Sequence, residues 1–295
     1  MRTQIFGDIR VDVIPEFDFA WAPDQLLKGA TREGVAEHEY WLGPRHVEAG
    51  TQYLKMSMHA YLIRTRHHTI LFDTCCGNDK ERSYQPEWHR LQTPFLERLA
   101  CAGVLSEQVD FVMCSHLHAD HVGWNTRLQN GEWVPTFPNA RYLISKGEFE
   151  YWRDAIERGS VQSSRKLAFT DSILPVVNRG LARFVEDDHA FENEMPDEVR
   201  YMPLHGHTKH HCGLYLRSRS QDAIFSGDAM HHPIQLARPD WVHADDAAAA
   251  TQVIRDLIAR CIDTSTKLMT AHFAAPTTGC IVSGPGHPRF RFDED

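Results

Sequence analysis

A six-residue segment, His116-x-His118-x-Asp120-His121, constrains this chain more than any other part of it. It sets four nitrogen- or oxygen-donor side chains at the end of an apolar run, Val109 to Cys114, that reads as a strand buried between layers. Ligands collect where such strands give way to loops. If the backbone stays extended, alternation puts His116, His118 and Asp120 on one side. A turn at Asp120 then carries His121 round toward a second centre. Donors of this kind suit a divalent metal with an open coordination position. Histidine is abundant overall, 19 of 295 residues, and clustered rather than scattered.

Four donors are too few for two ions sharing one water. Further donors stand at other strand exits: His207 after a strand over 199–204, Asp228 after one over 223–226, and His272 after one over 267–270. Periodicity also predicts strands over 9–14, 140–145 and 213–217, and an antiparallel pair, 55–64 and 69–73, joined by the polar turn 65–68. Helices are predicted from Thr93-Pro94, with Phe95, Leu96, Leu99 and Ala100 on one face, and over 148–158. An Ala-rich helix, capped by Asp245, turns Val253, Ile254, Leu257 and Ile258 inward. Strands, helices and hairpins interleave, which predicts an α/β fold with sheets covered by helices. Residues 15–50 carry Pro, Gly, Trp and Phe without clear periodicity. They are expected to form an irregular arm or lid, with residues 1–50 part of the same single domain as the main body over 51–295.

Composition narrows the partners. Hydrophobic residues at 42% and charged residues at 24% are those of an ordinary globular chain. A formal charge of −9, with no run of four basic residues, fits neither a nucleic-acid backbone nor an anionic membrane surface. No stretch approaches the roughly 20 apolar residues of a membrane helix, and the start of the chain lacks a signal-peptide core. A small-molecule partner and a cytoplasmic location are expected. Seven cysteines without a C-x-x-C pair predict reduced, mostly buried thiols, Cys212 among them.

Over roughly residues 55 to 275 the sequence resembles the metallo-β-lactamase superfamily. The resemblance rests on the apolar strand ending in Asp73-Thr74, the His116 to His121 motif followed by Gly123, Gly206-His207-Thr208, Ser226-Gly227-Asp228 and Ala271-His272, all in family order. It implies a four-layer αββα sandwich with a dinuclear metal site at one edge. His116, His118 and His207 would bind the first metal, Asp120, His121 and His272 the second, and Asp228 would bridge them. The cofactor implied is two divalent ions, Zn2+ first, with Mn, Fe or Co suited to the same donors. Asp73 matches a family position from which a carboxylate orients a ligand histidine. Two departures stand out: the family's Gly after Asp-Thr is Cys75 here, and its Gly-His-Thr-Pro-Gly-His run reads Gly206 to His211 without the Pro and second Gly, which puts His210 close to the site.

The resemblance further implies a dinuclear-metal hydrolase. A water between two ions loses its proton near neutral pH, and a metal takes up charge on the carbonyl oxygen, so no Ser or Cys nucleophile is needed. Asp120 would orient the hydroxide and pass a proton to the leaving alkoxide. His231 stands where lactonases of the superfamily resemble one another in a Tyr and enzymes like methyl parathion hydrolase in a His; it is a second proton donor or an ordinary polar residue. The segment from Gly227 to Leu236 looks most like that lactonase and organophosphorus-ester branch, which implies a lactone or carboxylic-ester substrate. A phosphotriester hydrolase, an iron-dependent persulfide dioxygenase and a non-catalytic metal-binding protein are the alternatives. Phe17, Phe19, Trp21 and Trp41 of the arm would wall a partly apolar substrate or make a homodimer contact, and Trp124, Phe273 and Trp241 would line the pocket or pack. His59, His67, His68, His189, His232, His243 and His287 are expected at the surface or in turns.

Overall fold

The computed structural model describes residues 3–160, 163–191 and 198–293. Its strands are β1 (Thr3–Phe6), β2 (Ile9–Trp21), β3 (Leu54–Arg64), β4 (Thr69–Phe72), β5 (Phe111–Met113), β6 (Thr126–Gln129), β7 (Glu132–Pro135), β8 (Arg141–Ser145) and β9 (Ala182–Val185). After these come β10 (Glu198–Pro203), β11 (Cys212–Ser218), β12 (Gln221–Phe225), β13 (Lys267–Met269), β14 (Thr278–Val282) and β15 (Arg289–Phe292). They form a seven-stranded sheet, β1-β2-β3-β4-β5-β8-β9, a six-stranded sheet, β10 to β15 in sequence order, and the hairpin β6-β7. The chain divides into two compact units. One comprises the residues up to Phe17 and Met58–His189; the other includes Asp18–Ser57 and the chain from Asp197 onward.

In the first unit, strand direction places the functional residues. β4 pairs parallel with β5, β5 with β8 and β8 with β9, so Phe72, Met113, Ser145 and Val185 end at one edge. Asp73 and the histidine motif leave neighbouring strands there. β3 is buried along nearly its whole length, as a strand covered on both faces must be. It pairs antiparallel with β4 across the expected turn, where Thr65 Oγ1 accepts from the N–H groups of His67 and His68.

The second unit repeats this logic. β12 and β13 are parallel, with Phe225 opposite Met269, so Asp228 and His272 follow adjacent strand ends. Ile224, Leu268 and Ile281 of the sheet pack on Ile254, Leu257 and Cys261 of the helix Ala247–Cys261. Residues 15–50 are not irregular: β2 runs on to Trp21, and short helices follow at Pro23–Leu26, Arg32–Ala36 and Glu39–His46. Phe19, Trp21 and Trp41 pack on a core containing Leu27, Val35, Leu42, Ile234 and Trp241, so these rings cover their own unit. Each helix is too short for a 3.6-residue period to show.

Two caps differ from expectation. Asp246, not Asp245, caps the Ala-rich helix, its Oδ1 accepting from the N–H groups of Ala248 and Ala249. The helix after Thr93 is Phe95–Cys101 with Pro94 as its cap, and the Thr93 hydroxyl bonds Glu16 and Asn78 instead. β6, β7, β9, β14 and β15 were not foreseen; each has only four or five residues. The cysteines are free and all but Cys101 are buried. Among the described residues no helix is long and apolar enough to cross a membrane.

His59 and His232 are buried rather than in surface turns. His232 donates from Nε2 to the His46 carbonyl and accepts at Nδ1 from the Ile234 N–H, which sets it as a neutral ring. His46 is also buried, stacked on Phe292 with ring centroids 4.6 Å apart, and neither of its ring nitrogens has a hydrogen-bond partner among the described residues. Burial is the main cause that lowers His46 from 6.5 to about 2 and His232 to about 4. The unfolded chain therefore takes up protons below about pH 6.5 that the folded chain refuses, and stability falls as pH drops through that window. We expect the melting temperature to decline from pH 6.5 toward 4. His46→Phe, which removes two unsatisfied polar atoms, is expected to flatten that decline and to gain about 1–3 kcal/mol at pH 7. Thermal melts across pH check both.

Candidate metal centre

In the first unit Asp73 organises the histidine motif. It sits just past β4 in a left-handed conformation, φ 57°. Oδ1 accepts from the Ser115 N–H at 2.7 Å; Oδ2 accepts from the Ser115 hydroxyl and lies 2.9 Å from His121 Nδ1. A carboxylate at Nδ1 holds the proton there and leaves Nε2 as the donor nitrogen of His121. The same chain of bonds orients His116. Ser115 gives its proton to Asp73, so its oxygen accepts from His116 Nδ1 at 2.9 Å. His116 Nε2 is then a lone pair, only 2.9 Å from His118 Nδ1. Two imidazole nitrogens at that distance share either a proton or a cation. His118 sits edge-on to Trp152, whose indole N–H bonds the buried Glu148.

Asp120 and His121 lie in the single helical turn Ala119–Val122. That turn is fixed by a backbone seam: Thr74 N–H donates to the His121 carbonyl, Gly123 N–H to Cys75 and Trp124 N–H to Thr74. At Gly123 the two segments touch backbone to backbone, and an added Cβ would lie 1.8 Å from the Cys76 carbonyl oxygen. Cys75, which replaces the family glycine, keeps the left-handed conformation that glycine favours, φ 51°.

In the second unit Asp228 gathers three histidines. Its Oδ2 is 3.2 Å from His207 Nε2 and 3.3 Å from His231 Nε2, and its Oδ1 is 3.0 Å from His272 Nε2. His207 Nδ1 donates to the His243 carbonyl at 2.7 Å and His272 Nδ1 faces the Ser57 carbonyl at 3.4 Å, so both rings present Nε2 toward the carboxylate. Gly206 takes φ 146°, and a Cβ there would lie 2.4 Å from the Ala250 nitrogen, so only glycine fits where this loop passes the helix Ala247–Cys261. His211, unassigned by the motif, is a buried bolt. It accepts from the Asp228 N–H at Nε2 and donates from Nδ1 to the Leu204 carbonyl. His231 is buried, its ring stacked 5.7 Å from that of His272.

Of the aromatic residues singled out in the sequence, Trp124 stacks on Phe95 with its N–H on Glu16, Phe273 lies in the core and Trp241 lies under Arg238. Tyr84 carried no motif. Partial burial raises its phenol pKa against the pull of Arg82, and the charge of Asp120 adds to the rise, although 42% of the residue is exposed.

The chain belongs to the metallo-beta-lactamase superfamily, whose family model matches residues 57–262. No curated protein matches it by sequence. Among solved structures it is similar to the hydrolase AbOPH of the beta lactamase superfamily, with a TM-score of 0.80 at 20% identity over 99% of this chain and 97% of that one. It is also similar to AidC, a dizinc quorum-quenching lactonase in complex with a product N-hexanoyl-L-homoserine, with a TM-score of 0.77 at 19% identity over 98% and 96%. A probable metal-dependent hydrolase from Staphylococcus aureus follows, with a TM-score of 0.72 at 15% identity over 92% and 91%. The fold is thus the metallo-beta-lactamase fold, and family and histidine–aspartate clusters together define a metal-dependent hydrolase.

We expect Gly123→Ala to abolish metal uptake or folding, since a backbone carbonyl cannot move aside for a methyl group. Asp73→Asn is expected to weaken metal affinity by about 10- to 100-fold while the protein stays folded. Metal analysis with circular dichroism separates the two effects.

Proposed function

We propose that this protein is a dinuclear-metal hydrolase acting on a lactone or carboxylic ester. The observation that carries the reading is Asp228, each of whose oxygens is met by a different histidine, as a carboxylate bridging two ions requires. In this reading, which rests on the family membership, His116, His118 and His207 would hold one ion and Asp120, His121 and His272 the other, with Asp228 serving both. The donor chemistry fits: His116, His121, His207 and His272 each have one nitrogen facing an oxygen of the protein, which leaves the other for a metal. All-nitrogen-and-carboxylate sets suit zinc, and also Mn, Fe or Co. When bound, the ions would supply an activated hydroxide and Lewis acidity toward the carbonyl oxygen.

The chain's own residues do the rest. Asp120, 9% exposed at the motif, would hold the proton of the attacking water and return it to the leaving alkoxide. His231, fixed by its N–H bond to Gln235 and by Asp228, is a second proton donor. The likeness in fold to AidC and AbOPH supports lactones and other esters as the first substrates to try. The substrate envisaged is a small, partly apolar molecule.

Protein purified without added metal is expected to carry two zinc ions per chain. It is expected to hydrolyse members of a lactone and aryl-ester series faster than phosphotriesters or thioesters, and to lose turnover with chelator and in His116→Ala. His231→Ala is expected to keep its metal while kcat falls about 10²- to 10⁴-fold. One iron per chain with no ester turnover would refute the reading in favour of persulfide oxygenation.

A further inference from the structure

We propose that Glu16, far from the histidine motif in sequence, is a positioning residue for it and sets its metal affinity. The inference rests on the metal-binding reading above. Glu16 lies in β2, is 1% exposed, and uses both carboxylate oxygens. Oε2 accepts from the Cys76 N–H at 2.8 Å. Oε1 accepts from the Gly77 N–H at 3.2 Å, the Thr93 hydroxyl at 3.0 Å and the Trp124 indole N–H at 2.6 Å. Burying a carboxylate is costly, and burial raises its pKa; the four donors oppose that rise.

The identity of the donors gives the expense a purpose. Cys76 and Gly77 lie on one side of the backbone seam that fixes the Ala119–Val122 turn, and Trp124 lies on the other. Glu16 therefore ties the two sides together from beneath, next to the place where Gly123 passes the Cys76 carbonyl. Trp124 is held flat against Phe95 at 5.4 Å, and Phe95 opens the helix that follows Thr93, the fourth donor. Arg98 of that helix donates to the carbonyls of Pro15 and Glu16 itself, which holds the carboxylate's own backbone in place. Asp120 and His121 stand on the far side of the seam. Loosening it changes their placement without touching either side chain.

Glu16→Gln keeps the shape but presents an NH2 to at least one donor, whichever way the amide turns. Zinc affinity would be measured by competition with a chromophoric chelator, beside the melting temperature and amide exchange of the metal-free protein. The expected result is zinc binding weakened about 10- to 100-fold at one of two sites, with faster exchange at Gly123 and Trp124. Trp124→Phe, which keeps the ring stack and deletes one donor, should weaken zinc in the same direction; it decides the matter if Glu16→Gln does not fold. Affinity within twofold of wild type in a folded variant overturns the proposal, and so does a lower melting temperature with affinity unchanged. A wild-type protein that takes up no zinc would instead sink the metal-binding reading, while the metal-free exchange data still test the clamp.

Discussion

The approach of two backbones at Gly123 is the constraint on which the histidine motif depends. A strand end can deliver Asp73, but the turn carrying Asp120 and His121 is too short to hold itself, since four helical residues close almost none of their own hydrogen bonds. Its shape is borrowed from the segment 74–77 through three backbone bonds. Those bonds form only because nothing larger than hydrogen separates the chains there.

Buried carboxylates then do opposite kinds of work. Asp73 faces an imidazole and decides which of its nitrogens carries the proton, whereas Asp228 faces the Nε2 atoms of rings whose protons are held on Nδ1 by backbone carbonyls. Glu16 and Glu148 face indole and backbone donors and hold segments in place. A buried carboxylate is expensive alone, and Asp73 and Glu16 are each met by several donors, the condition under which a buried charge is tolerated. His211 does with a neutral ring what Glu16 does with a charge, linking the Leu204 loop to the Asp228 backbone.

The strand exits that carry the candidate donors were legible in the sequence. Apolar runs of strand length mark β5, β12 and β13; within the first sheet the parallel pairing of β4 and β5 brings Asp73 and the histidine motif to neighbouring strand ends, and within the second the pairing of β12 and β13 does the same for Asp228 and His272. Residues 15–50 were not legible: helices of four to eight residues show no period, and their apolar residues find a core through contacts with Ile234 and Trp241, far along the chain. His232 was misread for the same reason, since its acceptor, the His46 carbonyl, is 186 positions away.

By itself the sequence determined the family, the α/β fold class and the strand exits at which the candidate donors stand, because these depend on residue type and local spacing. Tertiary structure alone decided which nitrogen each histidine offers and which glutamate stands under the motif. Most of those choices are made by hydrogen bonds between residues 36 to 215 positions apart, for which local pattern holds no signal.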